Sequence, residues 1–584
     1  MNPATKPEQR RLRLSALAAT LMFALVLAGT NALNADARAQ SSLPSDTLTV
    51  VAVDVTDDDQ VSALLEAGLD VVDVTDGSAE IFLHGPDDAA DLENAGFDWV
   101  VVDHDGSAQA AEIAEIRDQE EQLALELEAS PQLASPLPTG RVSYRTLDEI
   151  EPELREMAAT YPDRVKLFSL PHKSLLGSTV WGVEISRDVH VESGKPVFLN
   201  TGLHHSREWP TVDTTLEFAW DVLQNDGVDP RITSLMDNAK MIVVPVVNPD
   251  GFHMSRSRIQ EQKRKNCRVV DGEIPTYEQC ADPANFSRGV DLNRNYGAFW
   301  GGPGSSRSVT SSNYGGQDPY SEPVIQNMVD LTAAHQVMVA FHNHAPDGVL
   351  IRTPASPLEP HPTADEAAYQ GLAEHIGDAL DVEAGPWTEI YYFASGVAEQ
   401  HAYYTAGIFG FTTEMTPGHG GLNRFHPPFE YVIDQYFGTG FYEGSNLREA
   451  WLRAWEAAAD PTLHSVLTGT ARPGIELQIR KNVTVDSSPV SRPGLGTVVV
   501  PSELQIETTM TVPRDGQFEW HVLPSMRPSQ YHSLHLVEQW TVSCVNPAGK
   551  VHHEVDITVS RGESIELDMS PCPGRPPANS GTPN

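Results

Sequence analysis

Positive charge is scarce in this sequence: of 584 residues only 39 are Lys or Arg, against 81 Asp or Glu, and the formal net charge is −42 at pH 7. Nucleic acid is therefore excluded as the expected partner, because its binding is driven by basic side chains that neutralise phosphates. Acidity of this size favours solubility but says little about fold or reaction. Long apolar runs are scarce too. The one from Leu14 to Leu27 is shorter than the roughly 18 to 20 residues that cross a bilayer, so no integral membrane segment is expected in the mature chain. Cysteine is limited to four residues, Cys267 near Cys280 and Cys544 near Cys572, without Cys-x-x-Cys spacing. That spacing argues against a four-cysteine zinc site. Also missing are a Gly-x-Ser-x-Gly elbow, a phosphate-binding glycine loop and a cysteine-protease signature, which removes the commonest competing hydrolase and nucleotide chemistries.

Length alone implies several domains. Residues 1–39 carry Arg10, Arg11 and Arg13, then the apolar run, then Ala37-Arg38-Ala39, the three parts of a signal peptide cleaved near Ala39. Export to the extracellular space is expected, and in an oxidising compartment the two cysteine pairs should close as two disulfides. Residues 40–140 read as an acidic module and linker. Strands are expected at 48–55, 71–74, 79–83 and 99–102 and helices at 60–67 and 87–95, a βαββαβ order that is ferredoxin-like. Between Asp46 and Glu128 there are 24 acidic residues and one basic residue, Arg117. A helix is expected over 108–128, followed by a Pro/Ser-rich linker from Ser130 to Gly140.

Residues 141–458 alternate strands (165–169, 181–185, 197–203, 241–247) with helices such as 211–223, which predicts an α/β fold with a mixed central sheet flanked by helices. From 459 to 570 the pattern changes to short alternating strands separated by Gly and Pro, as in a β-sandwich. Residues 571–584 read as a disordered tail.

The chemistry-bearing motifs fall in one order. His205-Ser206-Arg207-Glu208-Trp209-Pro210 follows the apolar run Val197 to Leu203 and offers an imidazole and a carboxylate three residues apart. Then come Asn248-Pro249-Asp250-Gly251-Phe252, Gly289-Val290-Asp291-Leu292-Asn293-Arg294-Asn295, an apolar strand Val337 to Phe341 ending on His342, and Phe411-Thr412-Thr413-Glu414. Over residues 142 to 456 this series resembles the zinc carboxypeptidases of the A/B type.

The resemblance implies one Zn²⁺ per chain held by His205, Glu208 and His342, with a fourth position left for water. His344 competes for the third place, because two residues apart on a strand both imidazoles share a face. His204 should point away. Glu414 matches the general base and Arg264 the cation that stabilises the tetrahedral intermediate, with Lys263 and Lys265 as alternatives one residue away. Asn293 and Arg294 match the carboxylate-binding pair, Tyr392 the substrate-capping tyrosine, and Arg207 a further subsite. After Ser395-Gly396 the sequence departs from the family pattern. Glu399 falls near the side-chain specificity position, where an acid would favour a terminal Lys or Arg and where a solvated loop is the alternative.

The expected partners are peptide or protein C-termini, the expected state is a monomer, and the acidic module takes the place of a prodomain. A solvated module without regulatory role is the alternative for that last assignment. Two other functions remain open at this stage, a cell-wall peptide or amide hydrolase on the same scaffold and an inactive binding module.

Overall fold

The computed structural model describes residues 49–75, 77–83, 86–103, 107–127, 134–415, 424–545 and 551–572. The expected signal peptide, part of the linker and all but the first two residues of the expected tail lie outside these.

The N-terminal unit runs β1 (Thr49–Asp54), α1 (Asp58–Glu66), β2 (Asp70–Thr75), β3 (Ser78–Leu83), α2 (Pro86–Asn94) and β4 (Trp99–Asp103). Its antiparallel sheet has the order β2-β3-β1-β4, the ferredoxin-like arrangement expected from the sequence. Helix α1 starts where Asp57 caps it, its side chain accepting from Gln60 N at 3.0 Å. Val51, Val53, Leu64, Ile81 and Leu92 fill the small core. A further helix, α3 (Ser107–Leu127), leaves this core and lies along the central unit.

The central unit is built on eight strands, β5 (Val165–Ser169), β6 (Trp181–Ile185), β7 (Val197–Gly202), β8 (Lys240–Val244), β9 (Val337–His344), β10 (Val349–Arg352), β11 (Glu383–Pro386) and β12 (Phe409–Glu414), in the order β11-β10-β12-β9-β7-β8-β6-β5. The middle strands β12, β9, β7 and β8 are mutually parallel. Antiparallel pairing enters at β10 with β12 and at β6 with its neighbours, so the sheet is mixed, as expected. All six residues of β7 and all eight of β9 are buried, the signature of parallel strands covered on both faces. Among the flanking helices, α4 (Pro210–Asn225) begins with proline in its first turn and packs on β7 and β8. Helix α5 (Ala398–Ala406) packs on β12 and β9, and α6 (Leu447–Ala459) on β9 and β7.

The C-terminal unit pairs a three-stranded sheet (Gln517–Val522, Ser465–Thr470, Ser564–Asp568) with a four-stranded one (Pro501–Thr511, Glu476–Asp486, Trp540–Val545, Val551–Ile557). Residues of Glu476–Asp486 alternate between buried and more exposed, and Leu477, Ile479, Trp520 and Trp540 are buried in the core, as the expected β-sandwich requires. Both disulfides form, Cys267 with Cys280 and Cys544 with Cys572. No helix among the described residues is long and apolar enough to cross a membrane.

The N-terminal unit is seated on the central one at the turn between α1 and β2. Gly68 there has φ +84°, and a Cβ at this position would lie 2.5 Å from Ser311 Oγ, so only glycine permits the approach. Its carbonyl accepts from Ser312 N at 3.2 Å, and Leu65 O accepts from Asn313 Nδ2 at 2.9 Å. Residues 134–140, expected as linker, are already docked on the central unit at their far end: Leu137 is buried, and Thr139 Oγ1 donates to the buried Glu217 at 2.6 Å.

Candidate metal and active site

The carboxyl ends of the parallel strands converge at one place, which is where ligands bind in α/β sheets. Strand β7 delivers His205 and Glu208, β9 delivers His344 and β12 delivers Glu414. Leu203, buried and non-glycine, turns the chain out of β7 at φ 60°, a costly conformation that the surrounding structure holds in place. Its N–H is bound to Thr211 Oγ1 at 3.0 Å and its carbonyl accepts from Asn248 N at 3.1 Å.

His205, Glu208 and His344 offer three ligand atoms within 4.8 Å of one another, all buried. His205 Nδ1 lies 2.8 Å from Glu208 Oε1, and His344 Nδ1 lies 3.0 Å from both Glu208 Oε2 and His205 Nδ1. Two ring nitrogens facing each other at that separation, beside a carboxylate, fit a shared divalent cation. The preference for His342 as third ligand is corrected here. Strand alternation puts His342 and His344 on one face but cannot say which reaches the site. His344 stands at the end of β9, whereas His342 lies one pleat deeper, level with Thr201 of β7. Its Nδ1 is 3.0 Å from Thr201 Oγ1 and its Nε2 has no partner. His204 turns away, with Nε2 2.8 Å from Tyr296 OH.

Asp291 had no role assigned from sequence, although its motif was recognised. Its Oδ1 is 3.0 Å from His205 Nε2 and its Oδ2 accepts from Arg264 Nη2 at 2.9 Å. Binding Nε2–H in this way leaves the His205 Nδ1 lone pair directed at the cation position, as the outer partner of a metal-bound histidine should. Burial alone would raise the Asp291 carboxyl, but Arg264 and His205 outweigh it and hold the group well below the ordinary aspartate range. Glu208 is likewise held low by His205 and His344 against the effect of burial.

Glu414 stands beside His344 in the β9/β12 register. It is buried, its Oε2 has no hydrogen-bond partner, and burial together with the nearby Glu208 and Asp347 raises its pKa well above the usual value. Arg264 Nη1 comes within 4.0 Å of Glu208 Oε1. Its two alternatives are spent elsewhere: Lys263 Nζ donates to Phe286 O and Arg288 O, and Lys265 Nζ to Val309 O and Ser311 O. Burial brings both lysines down to about 7.

Asn293 Oδ1 accepts from Ala398 N at 2.9 Å, which ties the carboxylate-binding candidates to the start of α5. Arg294 donates through Nε to Gly304 O and through Nη1 to Asn293 O, and its Nη2 remains for an anion. Glu399, next in chain to Ala398, is not on a solvated loop. It is fully buried, neither carboxyl oxygen has a partner, and burial raises its pKa to about 8. Arg207 and Tyr392 are both engaged by the N-terminal unit. Asp70 takes both Arg207 amino groups at 2.7 and 2.8 Å, while Tyr392 packs against the N-terminal core. Nearby, Arg117 of α3 lies over the Trp209 ring at 4.6 Å and pairs with Glu261. Next to it on α3, Asp118 pairs with Arg258 at 2.9 Å, Glu121 pairs with Arg256 at 3.1 Å, and Glu120 accepts from Phe429 N at 2.6 Å.

Compared with known protein families, residues 150–441 match the one described as zinc carboxypeptidase. Carboxypeptidase A2 of Rattus norvegicus is 31% identical over 284 residues, 47% of this chain and 62% of the relative. Carboxypeptidase A5 of Homo sapiens is 27% identical over 282 residues, 47% of this chain and 60% of the relative. The chain thus spans about 60% of the length of these curated relatives. Among solved structures, carboxypeptidase A from Helicoverpa armigera superposes with a TM-score of 0.56 at 24% identity, covering 72% of this chain and 100% of that one. Thrombin activatable fibrinolysis inhibitor gives 0.51 at 18% identity, covering 70% and 98%. Both are likenesses of fold.

Proposed function

The chain belongs to the zinc carboxypeptidase family, and from that premise we propose that it is an exported, zinc-dependent enzyme that removes the C-terminal residue from peptides and is kept covered by its N-terminal unit. The observation that carries this reading is the buried Glu414 with an unpartnered carboxylate oxygen beside the His205, Glu208 and His344 trio. A catalytic carboxylate needs that place, within reach of the water it deprotonates.

His205, Glu208 and His344 would hold the zinc, which when bound would supply Lewis acidity for activating water and polarising a carbonyl. Glu414 takes the proton of that water and returns it to the departing amine. Arg264 is charged and fixed by Asp291, so it can receive the negative charge that develops on the carbonyl oxygen without reorganising. Arg294 Nη2 and Asn293 Nδ2 bind the free terminal carboxylate, which restricts the enzyme to chain ends. Tyr392 closes over the substrate once the N-terminal unit has left. Glu399, buried beyond this clamp, favours a basic terminal side chain.

The zymogen reading rests on Asp70. This carboxylate occupies Arg207 as a substrate's anionic group would, and Tyr392 is pinned in the same interface. The two disulfides fit an exported protein.

The test is Glu414→Gln in chain whose linker has been cut on the N-terminal side of Leu137. Zinc content should stay at one per chain while hydrolysis of free-ended peptides falls by at least about 1,000-fold, toward the upper range for a general base. Near-normal turnover in this variant would refute the assignment.

A further inference from the structure

Between its two longest strands, Glu476–Asp486 and Pro501–Thr511, the β-sandwich sends out an excursion over residues 487–500 that contains a short hairpin, Val490–Arg492 paired with Gly496–Val498. This excursion grips a loop of the central unit, residues 299–304. Asp486 O accepts from Phe299 N at 2.9 Å, Ser488 N donates to Trp300 O at 3.0 Å, and Ser488 Oγ donates to Phe299 O at 2.8 Å. Gly301, at φ +73°, lies so close to the hairpin that a Cβ there would stand 2.5 Å from Val490 Cγ1. Asp486 is fixed in turn by Gln530, whose amide bonds both its N–H and its C=O at 2.8 Å. Ser488, Val490 and Trp300 are all buried.

The far end of the same loop holds Arg294. Gly304 O accepts from Arg294 Nε at 2.9 Å, and Asn293 O accepts from Arg294 Nη1 at 2.7 Å. A guanidinium is planar, so two fixed donors determine where Nη2 points. Pro303 O accepts from Ser395 Oγ at 2.7 Å, and Gly304, at φ +75°, is packed against Phe393 O with no room for a Cβ, so the loop also carries the segment that follows Tyr392. Phe299 opens the loop at φ 57°, a strained conformation for a bulky residue that persists only where its surroundings over-determine it. The sandwich supplies that constraint, because Asp486 binds the N–H of Phe299 and Ser488 its C=O. Cohesion of the two units does not call for it, since they already share one apolar core.

We propose that Ser488 is a positioning residue: through the loop 299–304 the β-sandwich sets the orientation of Arg294, and with it the strength of binding of the substrate's terminal carboxylate. The inference rests on the carboxypeptidase reading and gives a role in it to a unit outside residues 150–441, the part that matches the family. Ser488 acts only through Phe299, Gly304 and Arg294, a contiguous run of bonded and packed groups. Orientation matters because a charge-assisted hydrogen bond weakens steeply as its angle departs from linear.

The experiment compares the zinc-loaded, linker-cut chain with its Ser488→Ala and Asp365→Asn variants on one peptide with a free or an amidated C-terminus. In Ser488→Ala, KM for the free peptide should rise and the free-over-amidated ratio of kcat/KM should fall about fivefold, the size of one neutral hydrogen bond. Its kcat on the free peptide and its kcat/KM on the amidated one should stay near the parent's values. Asp365→Asn weakens a different contact of the sandwich, with His535 and Arg561, and should leave the ratio unchanged. An unchanged ratio in Ser488→Ala, an equal loss on both peptides, or the same fall in Asp365→Asn would overturn the proposal. Calorimetric binding of N-acetyl-leucine and of its amide reads the same contact without turnover. A parent that binds acid and amide equally refutes the carboxylate clamp and the proposal with it. A parent that prefers the acid, matched in full by Ser488→Ala, refutes the positioning role alone.

Discussion

Asp70 of the N-terminal unit and Arg207 of the central unit meet in a buried, two-pronged ion pair, with N–H···O distances of 2.7 and 2.8 Å, one residue from the candidate metal ligand Glu208. Breaking a buried pair by removing one partner leaves an uncompensated charge and typically costs about 3 to 5 kcal/mol. Asp70→Asn should therefore loosen the N-terminal unit and raise the activity of the uncut chain on a small substrate by about tenfold or more. Activity of the uncut Asp70→Asn chain equal to that of the uncut parent, with the cut chain far above both, would show that this pair does not hold the unit closed.

His344→Ala should lose zinc, and His342→Ala should keep it, because only the first removes an atom of the trio. Metal analysis after gel filtration reads this directly. The reverse pattern would restore the sequence-based choice of ligand.

Asp291→Asn keeps the shape of the side chain but removes the charge that fixes His205. The variant should fold, bind zinc about 10 to 100-fold more weakly and release it faster to a chelator. Unaltered zinc affinity would mean that Asp291 serves Arg264 alone.

Amidating the substrate's C-terminus removes the anion proposed to bind Arg294 Nη2 and Asn293. Hydrolysis should fall by one to two orders of magnitude, in line with about 1.5 to 3 kcal/mol for a charged hydrogen bond. Equal cleavage of amidated and free peptides would rule out recognition of the chain end.

Stability in acid should depend on Asp365, which joins the central unit to the β-sandwich through His535 at 3.3 Å and Arg561 at 3.2 Å. Burial raises its pKa, but His535 and Arg561 outweigh this and hold it at about 2, below its ordinary value of 3.8. A depressed carboxylate contributes stability above its unfolded pKa and loses it as pH falls through the folded one. About 2 kcal/mol should therefore be present at pH 5 and disappear between roughly pH 4 and pH 2. Asp365→Asn should lower the thermal midpoint at pH 5 and converge with the parent near pH 2. A constant difference across that range would assign the effect to packing.

The sequence by itself determined the periodic elements and most of the candidates for the site. Alternating patterns placed β5 and β6 at their observed bounds and the βαββαβ order of the N-terminal unit, because side-chain periodicity is a local property of the chain. His205, Glu208, Arg264, Asn293, Arg294 and Glu414 could be named as candidates because their types and order resemble the family pattern, and the fold brings His205 and Glu208 together with a second histidine. Three things were decided only by the tertiary structure. Depth along β9 selected His344 over His342, since a period of two fixes the face of a strand and not the level at which its neighbours end. Asp291 became a partner of His205 across 86 residues, and Asp70 a partner of Arg207 across 137, by docking that no local pattern encodes. Glu399, ambiguous where the family pattern broke, is buried with neither carboxyl oxygen partnered, and burial depends on what the rest of the chain brings to the residue.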